Sequence, residues 1–205
     1  MAKSKPHKQD IGKLRIIGGE WRGRKLEFAN LPGLRPTPDR IRETLFNWLA
    51  PRINGARCLD LYCGSGALGF ECLSRGAAEV TMVDAASAVQ QSISRNNVLL
   101  ACDNAKFVRA DVLDWLNQTK FNTSYDIVFV DPPYELPLLE PTLAALRHSD
   151  AISQVSWIYT EAPRKFAVPA PPEWDLHRDK QAGNNRYCLF SVQKHAITAR
   201  VSRGD

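Results

Sequence analysis

The chain has 205 residues, 44% hydrophobic and 24% charged. That suits one domain with a full core and at most a small appendage, and no apolar run approaches the roughly 18 residues of a transmembrane helix. Five cysteines, Cys58, Cys63, Cys72, Cys102 and Cys188, include no CxxC pair; they support neither a disulfide framework nor a zinc site and point to a cytoplasmic protein with reduced thiols. Residues 1–57 hold 13 Lys and Arg against 5 Asp and Glu, and the remainder 14 against 17, so the basic front quarter suggests either a polyanion partner or a solvated, solubilising tail.

Residues 1–10 are basic and lack the apolar stretch of a secretory signal. They and the tail after His195 are expected to be disordered. LRIIGGEWRGRKLEF (14–28) reads as two short strands around Gly18–Gly19 and Gly23, a basic hairpin-like arm. LPGLRPTPDR (31–40) is a Pro/Gly loop. A helix follows, with Thr37 as N-cap, Pro38 at the first position and Asp39 in the first turn. Ile41, Leu45, Trp48 and Leu49 share one of its faces.

From residue 57 the pattern alternates. Strands are expected at 57–62, 79–84, 105–111 and 125–131, with helices at 67–76, 86–101, 112–118 and 137–148. Short apolar strands separated by helices argue for an α/β fold with a mostly parallel sheet covered on both faces. Three strands close the chain, at 153–162, 173–181 and 185–193. The turn signal QAGNNR (181–186) joins the last two as an antiparallel hairpin.

The first strand of this alternation runs into DLYCGSGALGF (60–70), where Gly64, Gly66 and Gly69 satisfy G-x-G-x-x-G between strand and helix. Alone the pattern fits any adenosine cofactor. Asp84 ends the second strand and can accept hydrogen bonds from ribose hydroxyls. Asp111 ends the third and can face an adenine amino group. Either acid can instead cap the helix that follows it. Three features turn the reading from a dinucleotide to S-adenosylmethionine: Asp60, where a carboxylate suits a cationic amino group and repels a pyrophosphate; Asp111, a third-strand acid that dinucleotide sites do not need; and, decisively, the tip of the fourth strand.

The fourth strand ends in DPPY, Asp131 to Tyr134. These residues resemble the class I, Rossmann-like methyltransferases that modify exocyclic or amide nitrogens. The resemblance assigns Asp60 to Gly69, Tyr62 and Cys63 included, with Asp84 and Asp111, to the cofactor motifs. It assigns Asp131, Pro132, Pro133 and Tyr134 to the catalytic motif. Taken by itself, Cys63 reads as a small packing residue. An exocyclic amine is a poor nucleophile, because its lone pair is delocalised into the ring. Two acceptors, the Asp131 carboxylate and the Pro132 carbonyl, favour a tetrahedral nitrogen and stabilise its developing charge. Pro133 restrains Pro132, and the Tyr134 ring offers a flipped-out base a flat face.

RIIGGEWRGRKL (15–26) and LRPTPDRIRETLFNWL (34–49) closely resemble the RsmD family, from about residue 13 to 193. That resemblance implies methylation of guanine N2 in 16S rRNA of the assembled small ribosomal subunit; the DPPY motif by itself does not name the base, and adenine N6 of DNA or RNA is the alternative target. The chain is read as a basic arm and helix at 1–50, a methyltransferase domain at 51–195 and a tail at 196–205. A monomer without metal is expected. Arg22, Arg24 and Lys25 are read as phosphate contacts, which position RNA without reading its sequence. Arg35, Thr37, Arg40 and Arg42 either grip RNA or the cofactor's carboxylate, or tie the arm to the core through ion pairs such as Arg40 or Arg42 with Glu43. Trp21 either stacks on a base or packs on the hairpin, with packing favoured. A non-catalytic RNA-binding assembly factor and a dinucleotide-dependent oxidoreductase are the rival classes.

Overall fold

A computed structural model describes residues 11–135 and 137–192. The disorder expected of residues 1–10 and of the tail past His195 lies outside them. Two strands, β1 (Ile11–Arg15) and β2 (Lys25–Ala29), form the arm, and α1 (Asp39–Leu49) follows. The alternating part runs β3 (Arg57–Leu61), α2 (Ala67–Ser74), β4 (Glu79–Asp84), α3 (Ser87–Leu100), β5 (Ala105–Arg109), α4 (Val112–Gln118), β6 (Tyr125–Val130) and α5 (Leu139–His148). The chain closes with β7 (Ile152–Pro163), β8 (Trp174–Ala182) and β9 (Asn185–Val192).

β1 and β2 pair antiparallel. The other seven strands form one sheet in the order β5-β4-β3-β6-β7-β9-β8. β5 through β7 run parallel, and β9 pairs antiparallel with both β7 and β8. The strand order reverses between β3 and β6, the place where open α/β sheets bind ligands at their carboxyl edge.

Alternate residues along each strand feed two cores, as strands buried on both faces require. Cys58, Met82, Ile127 and Phe129 pack with α1, α2, α3 and the arm. Leu59, Val83, Val128 and Val130 pack with α4 and α5. The edge strand β8 is exposed along nearly its whole length, and its charged side chains discourage further strand pairing.

α2 is buried on every side, because the arm covers the face turned away from the sheet. Glu71, with no exposed surface, accepts hydrogen bonds from the Ile17 and Gly18 amides at 2.9 and 2.8 Å. The Trp21 amide donates to Ser74 Oγ at 2.9 Å. On α3, Ser92 Oγ accepts from the Ala29 amide, and Asn96 bonds both backbone groups of Glu27. The Trp21 ring packs against this same core.

Thr37 does not cap α1. The helix begins at Asp39, and Pro38 in the cap position offers it no side-chain bond. The Thr37 carbonyl instead accepts from Arg42 Nε at 3.2 Å, and its hydroxyl points into the cluster described next.

Candidate active site

β3 and β6 are hydrogen-bonded neighbours whose last paired residues are Leu61 and Val130. The glycine loop and the DPPY segment therefore leave the sheet side by side. Tyr62 turns the chain at a φ of 60°. The Gly66 amide closes the turn on the Cys63 carbonyl at 2.7 Å. Asp84, at the end of β4, accepts from the Gly64 amide at 3.0 Å and the Ala86 amide at 2.9 Å, pinning the loop to the neighbouring strand.

Two of the glycines serve packing. Gly66 opens α2 at a φ of +73°, and a Cβ there would lie 2.5 Å from Ile93 Cδ1. A Cβ on Gly69 would lie 2.8 Å from Met82 Sδ. The Gly69 amide also donates to Asp60 Oδ2 at 3.0 Å, so the close approach of α2 secures the Asp60 carboxylate. Tyr62 and Cys63 contribute backbone to the loop and side chains to the core. The Tyr62 hydroxyl bonds Thr142 Oγ1 of α5 at 2.7 Å. The Cys63 thiol is buried, and that burial, reinforced by Asp60 and Asp84, holds it protonated.

Three acids converge from adjacent strands. Asp60 is buried within β3, and its carboxyl is pushed up to about 7, chiefly by burial and further by Asp84. Asp131 follows β6. Burial, then the neighbouring Glu161 and Asp60, push its carboxyl well above the usual range, while a hydrogen bond from Thr37 opposes them. Glu161 of β7 is 1% exposed and is likewise pushed up by burial. It accepts from Tyr159 Oη at 2.9 Å and Asn185 Nδ2 at 3.1 Å, and also meets the hydroxyls of Thr37 and Tyr134. Among the described residues no Lys or Arg pairs with any of the three. Buried carboxylates without cations are costly, and the cluster suits a ligand rich in positive charge and N–H groups. Pro132 is buried, Pro133 is exposed, and Tyr134 is 43% exposed with its ring at the mouth of the cluster.

Glu161 escaped the sequence reading. The signal for Glu161 was present in WIYTEAP, an acid closing an apolar strand as Asp60 and Asp131 do. Asp111 departs from its expected place. β5 ends at Arg109, and Asp111 is exposed and caps α4, its Oδ1 accepting from the Leu113 and Asp114 amides at 2.9 and 3.1 Å. An acid two residues past a strand and immediately before a helix satisfies the free amides of the first turn.

Arg42 is not available to RNA. It is 1% exposed and bonds Asp39, Glu71 and the carbonyls of Arg15 and Thr37, leaving Glu43 aside. Arg22, Arg24, Lys25, Arg35 and Arg40 are exposed, and Arg24 also donates to the Leu99 carbonyl at the end of α3. Lys13 and Arg95 join Lys25 around a groove of about 360 Å³ between the arm and α3. The pleat of the arm carries Lys13 there, a placement that linear spacing between arm and helix cannot give.

The family described as conserved hypothetical protein 95 matches residues 14–191. Ribosomal RNA small subunit methyltransferase D of Escherichia coli strain K12 is 46% identical over 187 residues, covering 91% of this chain and 93% of that one. Its namesake in Haemophilus influenzae is 40% identical over 181 residues, covering 87% and 94%. A solved Escherichia coli structure carrying the name methyltransferase yhhF superposes with a TM-score of 0.80 at 46% identity, covering 90% of this chain and all of that one.

Proposed function

The chain belongs to the RsmD family of ribosomal RNA small subunit methyltransferases, and from that premise we propose that it methylates the exocyclic N2 of a guanine in 16S rRNA within the small subunit, using S-adenosylmethionine. The observation that carries this reading is the adjacency of the glycine loop and the DPPY segment on paired strands, lined by carboxylates that pair with no Lys or Arg among the described residues.

Asp60 and Asp84, with the backbone of the loop at 62–66, are the residues that would hold the cofactor, and their chemistry fits it. A buried acid suits the ammonium of a methionine moiety, and an acid at the end of β4 suits ribose hydroxyls. When bound, the cofactor supplies a methyl group on a sulfonium. Asp131 accepts one N–H of the guanine amine, and the Pro132 carbonyl accepts the other. Their negative ends stabilise the charge that develops on nitrogen. Asp131, whose carboxyl is already pushed towards holding a proton, takes up the one the nitrogen sheds. The Tyr134 ring stacks on the flipped base, an interaction worth about 1–3 kcal/mol. The exposed basic residues of the arm meet phosphates, aided by the N-terminus of α1.

The test offers labelled cofactor with naked 16S rRNA or with unmethylated small subunits, and identifies the modified nucleoside by mass spectrometry. N2-methylguanosine, formed on the subunits and lost in Asp131→Ala with cofactor binding kept, is the expected result. N6-methyladenosine would establish the alternative target, and normal turnover by Asp131→Ala would overturn the catalytic assignment.

A further inference from the structure

β2 runs back along α3 towards the candidate site. Arg24, just before the strand, donates to the Leu99 carbonyl; the backbone of Glu27 bonds Asn96; and the Ala29 amide donates to Ser92 Oγ. Each step forward on β2 is thus a step back towards the start of α3, which follows Asp84 at the glycine loop. The segment after β2 ends its course there, since a Cβ on Gly64 would lie 3.4 Å from Leu34 Cγ. Arm and helix therefore frame a furrow that leads to the site, and the groove of about 360 Å³ lies within it.

The charges along this furrow are lopsided. The pleat of the arm turns Lys13, Arg15 and Lys25 outwards and Leu14 and Leu26 inwards. Arg15 and Lys25 stand directly opposite each other across the ribbon, where like charges are destabilising. The acid in the groove lining, Glu27, pairs with Lys13 at 3.7 Å, and both side chains are well exposed. Lys25 and Arg95 pair with no acid among the described residues. The whole of α3 contains no Asp or Glu, and its exposed side offers Gln91 and Ser94 next to Arg95. Cations with amide and hydroxyl donors around a concave surface are the chemistry of phosphate contact. Asp60, Asp84 and Asp131 line the site itself, so backbone phosphates must find their cations outside it.

We propose, resting on the 16S rRNA methylation inferred above, that this groove holds backbone phosphates of the strand whose guanine enters the DPPY pocket, with Lys13 and Arg95 joining Lys25 as contacts. The strand then follows α3. From Ala86 at its cap to Arg95 the helix rises about 14 Å, or about four nucleotides at roughly 3.4 Å each. The groove positions the RNA and reads no base.

The test measures affinity for unmethylated small subunits against salt, without turnover, in Lys13→Ala, Arg95→Ala and Arg95→Lys. The alanine variants should fold as the wild type does, because Lys13 gives up an exposed ion pair and Arg95 one bond to Ser92. Each alanine is expected to lower the slope of log K against log salt by about 0.7–0.9. Raising salt from about 50 to 200 mM then weakens the wild type about threefold more than the variant. Arg95→Lys keeps the charge and the slope. Lys180→Ala removes an exposed charge on β8, at the opposite edge of the sheet from β5, and is expected to leave the slope unchanged. KM for subunits should rise in both alanine variants, while kcat at saturation and affinity for S-adenosylhomocysteine hold.

An unchanged slope in either alanine variant, or an equal fall in Lys180→Ala, would overturn the proposal. So would slopes that fall on subunits but not on naked 16S rRNA, because the groove would then hold an acidic protein of the subunit. If the slopes fall as expected and the wild type leaves guanine N2 unmethylated, the functional reading fails and the groove stands.

Discussion

Affinity for the amino-acid end of the cofactor is expected to depend on protonation of Asp60. The Asp60 carboxyl lies at about 7 in the fold against an ordinary 3.8, so on the order of 4 kcal/mol stands against its ionised form. The folded state holds this proton more tightly than the unfolded chain. The penalty therefore builds as pH rises from about 4 and is complete above about 7. A ligand ammonium beside Asp60 reverses that preference, and binding at lower pH must expel the proton. Affinity for S-adenosylhomocysteine, which carries the ammonium, should fall about tenfold per pH unit below about 7, with close to one proton released per complex near pH 6. Calorimetry in two buffers of unlike ionisation enthalpy measures both quantities. 5′-Methylthioadenosine lacks the amino-acid end and Asp60→Asn lacks the acid, so either change should flatten the dependence. An affinity for S-adenosylhomocysteine that stays level between about pH 5.5 and 7.5, with no proton released, would refute the placement of the ammonium at Asp60.

Arg42→Ala leaves buried Glu71 without one of its two arginines and frees two backbone carbonyls; urea unfolding should show a loss of about 3–5 kcal/mol. Gly66→Ala combines a left-handed backbone with a Cβ 2.5 Å from Ile93 and 2.9 Å from Phe70, and should lose about 2–4 kcal/mol in the same assay. Arg40→Ala, at an exposed helix position, should move stability by no more than about 0.5 kcal/mol. If Arg40 meets a phosphate, the slope of log K against log salt for RNA should fall by about 1. Tyr62→Phe removes the bond to Thr142 and should cost about 1 kcal/mol without altering the pH dependence of cofactor affinity.

The order and type of elements were legible because hydrophobic runs and glycine punctuation fix them locally. The closing hairpin lay where QAGNNR predicts it, with Gly183 at a φ of +58° in the turn. The expected seven-stranded, mostly parallel sheet is the observed one. Side-chain destinations were less legible. Thr37 and Asp111 are both residues that cap helices well, but only Asp111 does so; the helix after Thr37 starts two residues on, at Asp39, and the Thr37 carbonyl accepts from Arg42, a pairing the local sequence does not encode. Arg42 was open to an RNA or cofactor contact or to an ion pair with Glu43 that ties the arm to the core; it does tie the arm to the core, but its helical phase turns it inward to Glu71, 29 residues away. Glu161 carried the same strand-end signature as Asp131 but lacked a motif to advertise it.

The cover that the arm lays over α2 also sets a timetable. Ile17 waits for Glu71, 54 positions on, and Arg24 for Leu99, 75 positions on. At about 5–20 residues per second, those partners emerge roughly 3 to 15 s after the arm itself. Through that interval Leu14, Ile16, Leu26 and Phe28, buried in the finished protein, stand bare on a basic ribbon. The arm is thus seated during synthesis only after these later partners have been made.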